Sequence, residues 1–208
     1  MELSNAAYPT KGQRTRERIL TAAQTLFARQ GYDGTTLRQV AKRAGIREPG
    51  LYNHFAGKQA LYEVVLYRSL QPLAKAVSAQ LSEATSLRDY TDLPALITDM
   101  MLAQPEAAAL LQQALHGEPE SIGAELLQRW LSDLFKQGLH SAGTLGMARV
   151  QDPAHVAINV VALLNLVTGY FMSQPAFAAM VSGELTDPEN IARQKRLLHR
   201  VVRALLIS

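Results

Sequence analysis

Residues 35–58, TTLRQVAKRAGIREPGLYNHFAGK, decide how this 208-residue chain is read. Thr36 stands three residues before Gln39, a capping-box spacing, so a helix is predicted to begin at Leu37. Leu37, Val40, Ala41 and Ala44 recur at i, i+3, i+4 and i+7, which makes one buried stripe. Gly45 follows where that helix must stop, because glycine takes the left-handed cap conformation at little cost. Beyond a short turn, a second helix carries Leu51 and Phe55 inward at i, i+4 spacing. Two short helices around a glycine turn form a helix-turn-helix, whose second helix enters the major groove of DNA. Glycine turns also occur in ordinary helical hairpins. The exposed set here, Arg38, Lys42, Arg43, Arg47, Tyr52, Asn53, His54 and Lys58, tilts the reading toward DNA, since each type suits phosphates or base edges.

The charge distribution points the same way. Residues 1–58 hold ten Lys/Arg and four acids, a balance of +6. The other 150 residues hold 11 basic and 14 acidic groups, a balance of −3. A basic quarter attached to a mildly acidic remainder is the footprint of a nucleic-acid module joined to something else. There is no cysteine, which excludes disulfides, thiolate metal sites and thiol redox sensing. The N-terminal MELSNAAYPTKGQR has no apolar core of a signal peptide, so a cytoplasmic location is expected.

Residues 1–10 read as a flexible arm. Residues 11–30 form an amphipathic helix with Ile19, Ala22, Ala23, Leu26 and Phe27 on its buried face. Arg14, Arg16 and Arg18 crowd its start, where positive charge opposes the helix dipole; a phosphate backbone or plain solvation would account for them. The Gly31-Tyr32-Asp33-Gly34 loop then leads into the helix pair, completing a three-helix unit too small to be very stable alone.

The run RILTAAQTLFARQGYDGTTLRQVAKRAGIREPGLYNHFAGKQAL resembles the N-terminal domain of the TetR family of bacterial transcriptional regulators. The similar features are the Ile-Leu-x-Ala-Ala…Leu-Phe helix, the Gly-Tyr loop, Thr-Thr-Leu-x-x-Val-Ala-x-x-Ala-Gly-Ile, and Leu-Tyr-x-His-Phe-x-x-Lys. The resemblance covers roughly residues 14–65. It implies that residues 11–57 bind an operator and that residues 58–208 form a variable effector-binding and dimerisation domain. By the same resemblance Thr36, Tyr52, His54 and Lys58 would contact phosphates, while Arg38, Arg47, Glu48, Gly50 and Asn53 approach base edges. Gly50 also lets the backbone come close to the groove floor. One departure stands out. Where the family usually has Ser or Thr as cap of the recognition helix, this chain has Arg47, then Glu48 and Pro49. Pro49 suits a first helical turn. Glu48 either caps its own helix or faces a cytosine amino group, and Arg47 faces a guanine or a phosphate.

The rest of the chain is also helical in pattern. Residues 58–81 form a long helix that Pro72 should kink, and that could serve as a lever between the two domains. A weak helix start lies in residues 85–94, and helices are predicted over 93–103, 105–115 and 121–140, followed by a glycine-containing loop at 141–147. Asp152-Pro153 and Asp187-Pro188 each place an acidic cap before a first-turn proline. They open helices over 154–172, nearly apolar all round, and 189–206. The first approaches membrane-spanning length, but His155, Asn159, Asn165 and Thr168 within it argue for a buried or interface helix. So much apolar surface on the two helices predicts pairing with a second copy in a two-fold four-helix contact, which is also the usual dimer contact of the family. Residues 173–186 are a linker with one helical turn near 176–181. The fold expected is all-α, with about nine helices.

No P-loop, dinucleotide fingerprint, zincin motif or nucleophile elbow is present, so no enzyme, cofactor or metal is expected. The five histidines are scattered singly. A pocket for a small, mainly hydrophobic effector is predicted among the body helices. Met100, Met101, His116, Trp130, Phe135, Asn159, Leu163, Asn165 and Tyr170 are its candidate lining, though each could equally be plain core. A ligand-insensitive DNA-binding regulator or activator, or a small-molecule carrier or enzyme, are the competing readings.

Overall fold

A computed structural model describes residues 10–118, 120–146 and 152–207. Residues 1–9 of the arm predicted at 1–10, and residue 147 of the loop predicted at 141–147, lie outside the described residues. Within them there are ten helices and no strand. They are α1 (Lys11–Gly34), α2 (Leu37–Ala44), α3 (Glu48–Leu51), α4 (Lys58–Ser82) and α5 (Leu87–Ala103). Then come α6 (Pro105–His116), α7 (Ile122–Thr144), α8 (Pro153–Met172), α9 (Gln174–Met180) and α10 (Pro188–Ile207). The chain divides into two compact units at Leu66/Tyr67. The first takes in the opening turns of α4, beyond the boundary expected at residue 57, because Leu61, Tyr62, Val65 and Leu66 are buried.

The first unit closes over Ile19, Leu20, Ala23 and Phe27 of α1, Val40 and Ala41 of α2, and Leu51 and Phe55. Its helix ends are chemically finished. Thr10 Oγ1 accepts from the Gln13 amide at 3.2 Å, and the Thr10 amide donates to Gln13 Oε1 at 2.7 Å. Thr36 and Gln39 repeat the same box at 3.2 and 2.7 Å. Each box meets amides that a helix start otherwise leaves open. The backbone departs from helix at Gly31, with φ 71°, so the predicted end at residue 30 marks a real break inside α1. Tyr32 packs back on Phe27 and Tyr62, with the Tyr32–Tyr62 centroids 4.9 Å apart. Burial, with the neighbouring Tyr32 and Asp33, raises the Tyr62 hydroxyl above its ordinary pKa.

In the second unit α10 lies along α5, and α8 packs on α5, α6 and α10. Helix α4 runs through Pro72 as one long helix. Three expectations change. The segment after Thr85 is a single helix through Pro94, opened where Asp89 Oδ2 accepts from the Thr85 and Ser86 amides at 2.8 Å each. Those two amides hold the Asp89 carboxyl below the usual carboxylate range. Helix α7 continues four residues past His140, because Ser141 donates to the Leu81 carbonyl at 2.7 Å and accepts from Tyr90 at 2.8 Å. The tenth helix is α9, a full two turns where one was expected.

Candidate nucleic-acid interface

The helix-turn-helix is built as its spacing requires. Gly45 ends α2 in the left-handed conformation, φ 66°, and its amide donates to Lys42 O at 3.2 Å. The Ile46 amide donates to Ala41 O at 3.0 Å, so the turn closes a double-bonded helix end. Helix α3 is a single turn, shorter than predicted; the Gly50 amide donates to Arg47 O at 2.9 Å, and residues 52–54 continue as turns. Leu51 and Phe55 are buried beneath it, as their spacing predicts.

Around this frame the predicted contact residues lie at the surface. Thr36, Arg38, Arg47, Pro49 and Asn53 are exposed, Glu48, Gly50, His54 and Lys58 half-buried. Tyr52 is 54% exposed. Arg38, Lys42, Arg43 and Arg47 make no ion pair among the described residues, so their charge is available to an external anion. Arg47 occupies the cap position of α3 without a side-chain cap bond, and Glu48 stands in its first turn. A β-carbon at Gly50 would meet nothing within 4 Å, so internal packing does not require glycine there.

Several basic groups are held by the unit itself, which the sequence reading missed. Lys58 Nζ lies 4.3 Å from the Tyr32 ring centroid and donates to Asp33 O at 3.4 Å. Arg16 stacks over Phe55 at 5.0 Å. Arg18 Nη2 donates to the Ala44 and Gly45 carbonyls. Cation–π and carbonyl contacts therefore account for two of the three crowded arginines.

The candidate effector residues are scattered through the second unit. Met101 is buried; Met100, Trp130, Phe135, Asn159, Leu163, Asn165 and Tyr170 are half-buried, and His116 is exposed. Trp130 faces Tyr67, with centroids 6.1 Å apart. Three polar candidates are engaged locally. Asn165 Nδ2 donates to Val161 O at 2.9 Å, Tyr170 Oη donates to Leu185 O at 2.6 Å, and His116 Nδ1 is 3.0 Å from Gln112 O. Burial, and then Asp187, raise the Tyr170 hydroxyl above its ordinary pKa. A recess of about 370 Å³ on this unit is lined by Arg193, Arg196, His199 and Arg200 of α10, none of them a predicted lining residue. Among the described residues no group of three or more metal-ligating side chains is assembled.

Comparison with known proteins places the first unit. Residues 19–65 match the family of bacterial regulatory proteins, tetR family. Over 48 residues the chain is 46% identical to the biofilm operon icaADBC HTH-type negative transcriptional regulator IcaR of Staphylococcus aureus, covering 23% of this chain and 26% of that protein. It is 37% identical over 73 residues to the HTH-type transcriptional activator FasR of Mycolicibacterium smegmatis, covering 35% and 33%. The matches thus span a quarter to a third of those relatives' length. Solved structures extend the likeness in fold to nearly the whole chain. SmeT, the repressor of the Stenotrophomonas maltophilia multidrug efflux pump SmeDEF, has a TM-score of 0.69 at 21% identity and covers 94% of this chain and 91% of its own. A TetR-family transcriptional regulator from Bordetella parapertussis has a TM-score of 0.70 at 15% identity and covers 91% and 93%. The helix-turn-helix segment over residues 19–65 is thus similar to the tetR family of bacterial regulatory proteins, and the all-helical fold of nearly the whole chain is similar to that of solved TetR-family regulators.

Proposed function

We propose that the protein is a homodimeric, effector-responsive transcriptional regulator, acting as a repressor in the cytoplasm and carrying no enzymatic activity. The observation that carries this reading is the exposed, acid-free basic face of α2 and the turn before α3, set on a TetR-type helix-turn-helix. Such a face attracts the phosphate backbone, and a short recognition helix presents Arg47, Glu48, Gly50 and Asn53 to base edges. Thr36, Tyr52, His54 and Lys58 would hold phosphates. Two heads would read a pseudo-palindromic operator with half-sites about one turn, roughly 34–36 Å, apart or a multiple of it.

Support for the dimer comes from α8 and α10. Pro153–Met172 has a mean hydropathy of 1.6 over its 18-residue window, yet only 11% of that window is buried within one chain. Ile158 is 67% exposed, Val161 51% and, on α10, Leu197 47%. Apolar surface of this extent needs a cover, and a second copy supplies it with two-fold symmetry. A small hydrophobic effector held among α5–α8 would favour one arrangement of the body, tilt α4 and change the separation of the two heads, lowering operator affinity. SmeT supports a repressor reading and FasR an activator reading, so the sign of regulation is a separate arm of the test.

The test is selection of bound fragments from genomic DNA by the full-length protein, followed by titration across salt. Sequence-selective, salt-sensitive binding of one dimer per palindromic site is expected. Binding that shows neither selectivity nor salt dependence overturns the reading in favour of a carrier. Release of the selected fragment by a hydrophobic extract of the cells would establish effector response; no release by any fraction would favour the ligand-insensitive regulator.

A further inference from the structure

We infer that Arg18 is a positioning residue for the DNA-reading element, holding the turn between α2 and α3 rather than a phosphate; the inference rests on the DNA-binding reading above. A helix leaves its last four carbonyls without internal partners. In α2 the turn itself supplies two donors, the Gly45 amide to Lys42 O and the Ile46 amide to Ala41 O. The carbonyls of Ala44 and Gly45 are met from outside, by one guanidinium nitrogen of Arg18 on α1, 3.1 Å from Gly45 O and in short contact with Ala44 O. These partners are 26 and 27 residues away in sequence. The contact places a permanent positive charge against the negative end of α2, where it is doubly favoured by hydrogen bonding and by the helix dipole.

What hangs from this turn explains its importance. Helix α3 is a single turn of four residues, and Arg47 gives it no side-chain cap. So short a helix has no stability of its own. The direction in which Arg47, Glu48, Gly50 and Asn53 point is inherited from the turn and from the two buried anchors, Leu51 and Phe55. Arg18 closes the remaining side, tying the exit of α2 to α1. A β-carbon at position 45 would stand 2.7 Å from Arg18 Nη2 and so displace the guanidinium, and the residue would also have to adopt φ 66°. Arg18 thus acts on base readout through the backbone.

The experiment compares the full-length protein with Arg18→Gln and Arg18→Lys. A preferred duplex is first selected from a random pool by the wild type, and a scrambled duplex serves as control. Two readouts are taken: amide hydrogen exchange over residues 44–51 of the free protein, and affinity for both duplexes across salt. In Arg18→Gln, faster exchange at Ile46 to Gly50 is expected. Affinity for the selected duplex should fall about tenfold, as for loss of a charged hydrogen-bond donor. The scrambled duplex should change far less, with the same salt slope, and reselection should return a broader base preference. Arg18→Lys, which keeps the charge and one donor, should recover part of the loss; if Arg18→Gln unfolds, this variant shows the same pattern at smaller amplitude. A phosphate role predicts the opposite: equal weakening on both duplexes, a salt slope shallower by about one, and unchanged exchange. That result, or unchanged exchange in both variants, overturns the inference. Faster exchange in a protein whose wild type selects no duplex would instead bring down the DNA reading and leave the brace standing.

Discussion

The two units of the chain differ in how far one copy completes them. In the first, helix starts are closed by the Thr10–Gln13 and Thr36–Gln39 boxes, and the exit of α2 is closed by Gly45, Ile46 and Arg18. Its aromatic side chains meet one another, Phe27 with Tyr62 at 4.8 Å and Tyr62 with Tyr32. In the second, a 20-residue apolar helix stands largely uncovered, and Gln194 is 5% exposed with neither side-chain polar atom hydrogen-bonded. A buried amide without partners costs stability, and so does exposed apolar surface. The first unit is specified by contacts within itself, whereas the second leaves an apolar helix uncovered and a buried amide unpartnered within one copy.

The most direct way to break this contrast is to charge the uncovered helix. The double variant Ile158→Asp/Val161→Asp should turn the proposed dimer into a monomer in sedimentation, leaving the helical content of the first unit intact. Operator affinity should fall on the order of 100-fold, as expected when a two-headed contact becomes one-headed. A wild type already monomeric at micromolar concentration would remove the explanation offered for α8. Inside the first unit the largest effect belongs to Phe27→Ala. Phe27 is fully buried against Tyr32 and Tyr62, and its truncation should cost about 3–5 kcal/mol in denaturant unfolding of that unit. The transition of the second unit should not move.

Legibility in the sequence follows the same division. The helix-turn-helix could be read because its determinants are local: Thr36 to Gln39, the i, i+3, i+4, i+7 stripe, and Gly45 all act within one or two turns. The Arg18 contact escaped because a basic first turn looks the same whether its arginines meet phosphates or carbonyls 26 residues on. The end of α7 was missed for a similar reason. Gly143 and Gly146 read as loop signals, while the bonds of Ser141 to Leu81 and Tyr90, 60 and 51 residues away, extend the helix. Among the pocket candidates, residue type alone could not tell that Asn165 and Tyr170 bond within their own unit. The Thr10-x-x-Gln13 box was available in the sequence, hidden by reading residues 1–10 as an arm.

Gln194 sharpens the contrast between the units at moderate cost. It belongs to the buried stripe of α10 with Ile191, Leu198 and Val202. If its amide has no role in one copy, Gln194→Met, close in volume and apolar, should stabilise the second unit by about 1 kcal/mol in thermal unfolding, since it removes the desolvation penalty. Destabilisation would show that the amide is satisfied in solution, by water or by a bound molecule, and would move it to the head of the effector candidates.

The smallest effects separate two helix starts of different chemistry. Thr36→Ala should cost the first unit about 1 kcal/mol at any pH between 4 and 8, because its cap is uncharged. The start of α5 relies on a carboxylate, Asp89, whose folded pKa lies below its ordinary value owing to the Thr85 and Ser86 amides. A depressed carboxyl contributes its stability fully above the unfolded pKa of about 4 and loses it as pH falls through the lower folded value. Asp89→Asn should therefore lower the melting temperature of the second unit near neutral pH and approach the wild type as the pH falls below the ordinary carboxylate value. Because solvent screens this surface cap the difference will be small, and it is best read as the convergence of two melting curves with falling pH. Curves that stay parallel would mean that Asp89 acts by shape alone, making the two helix starts equivalent after all.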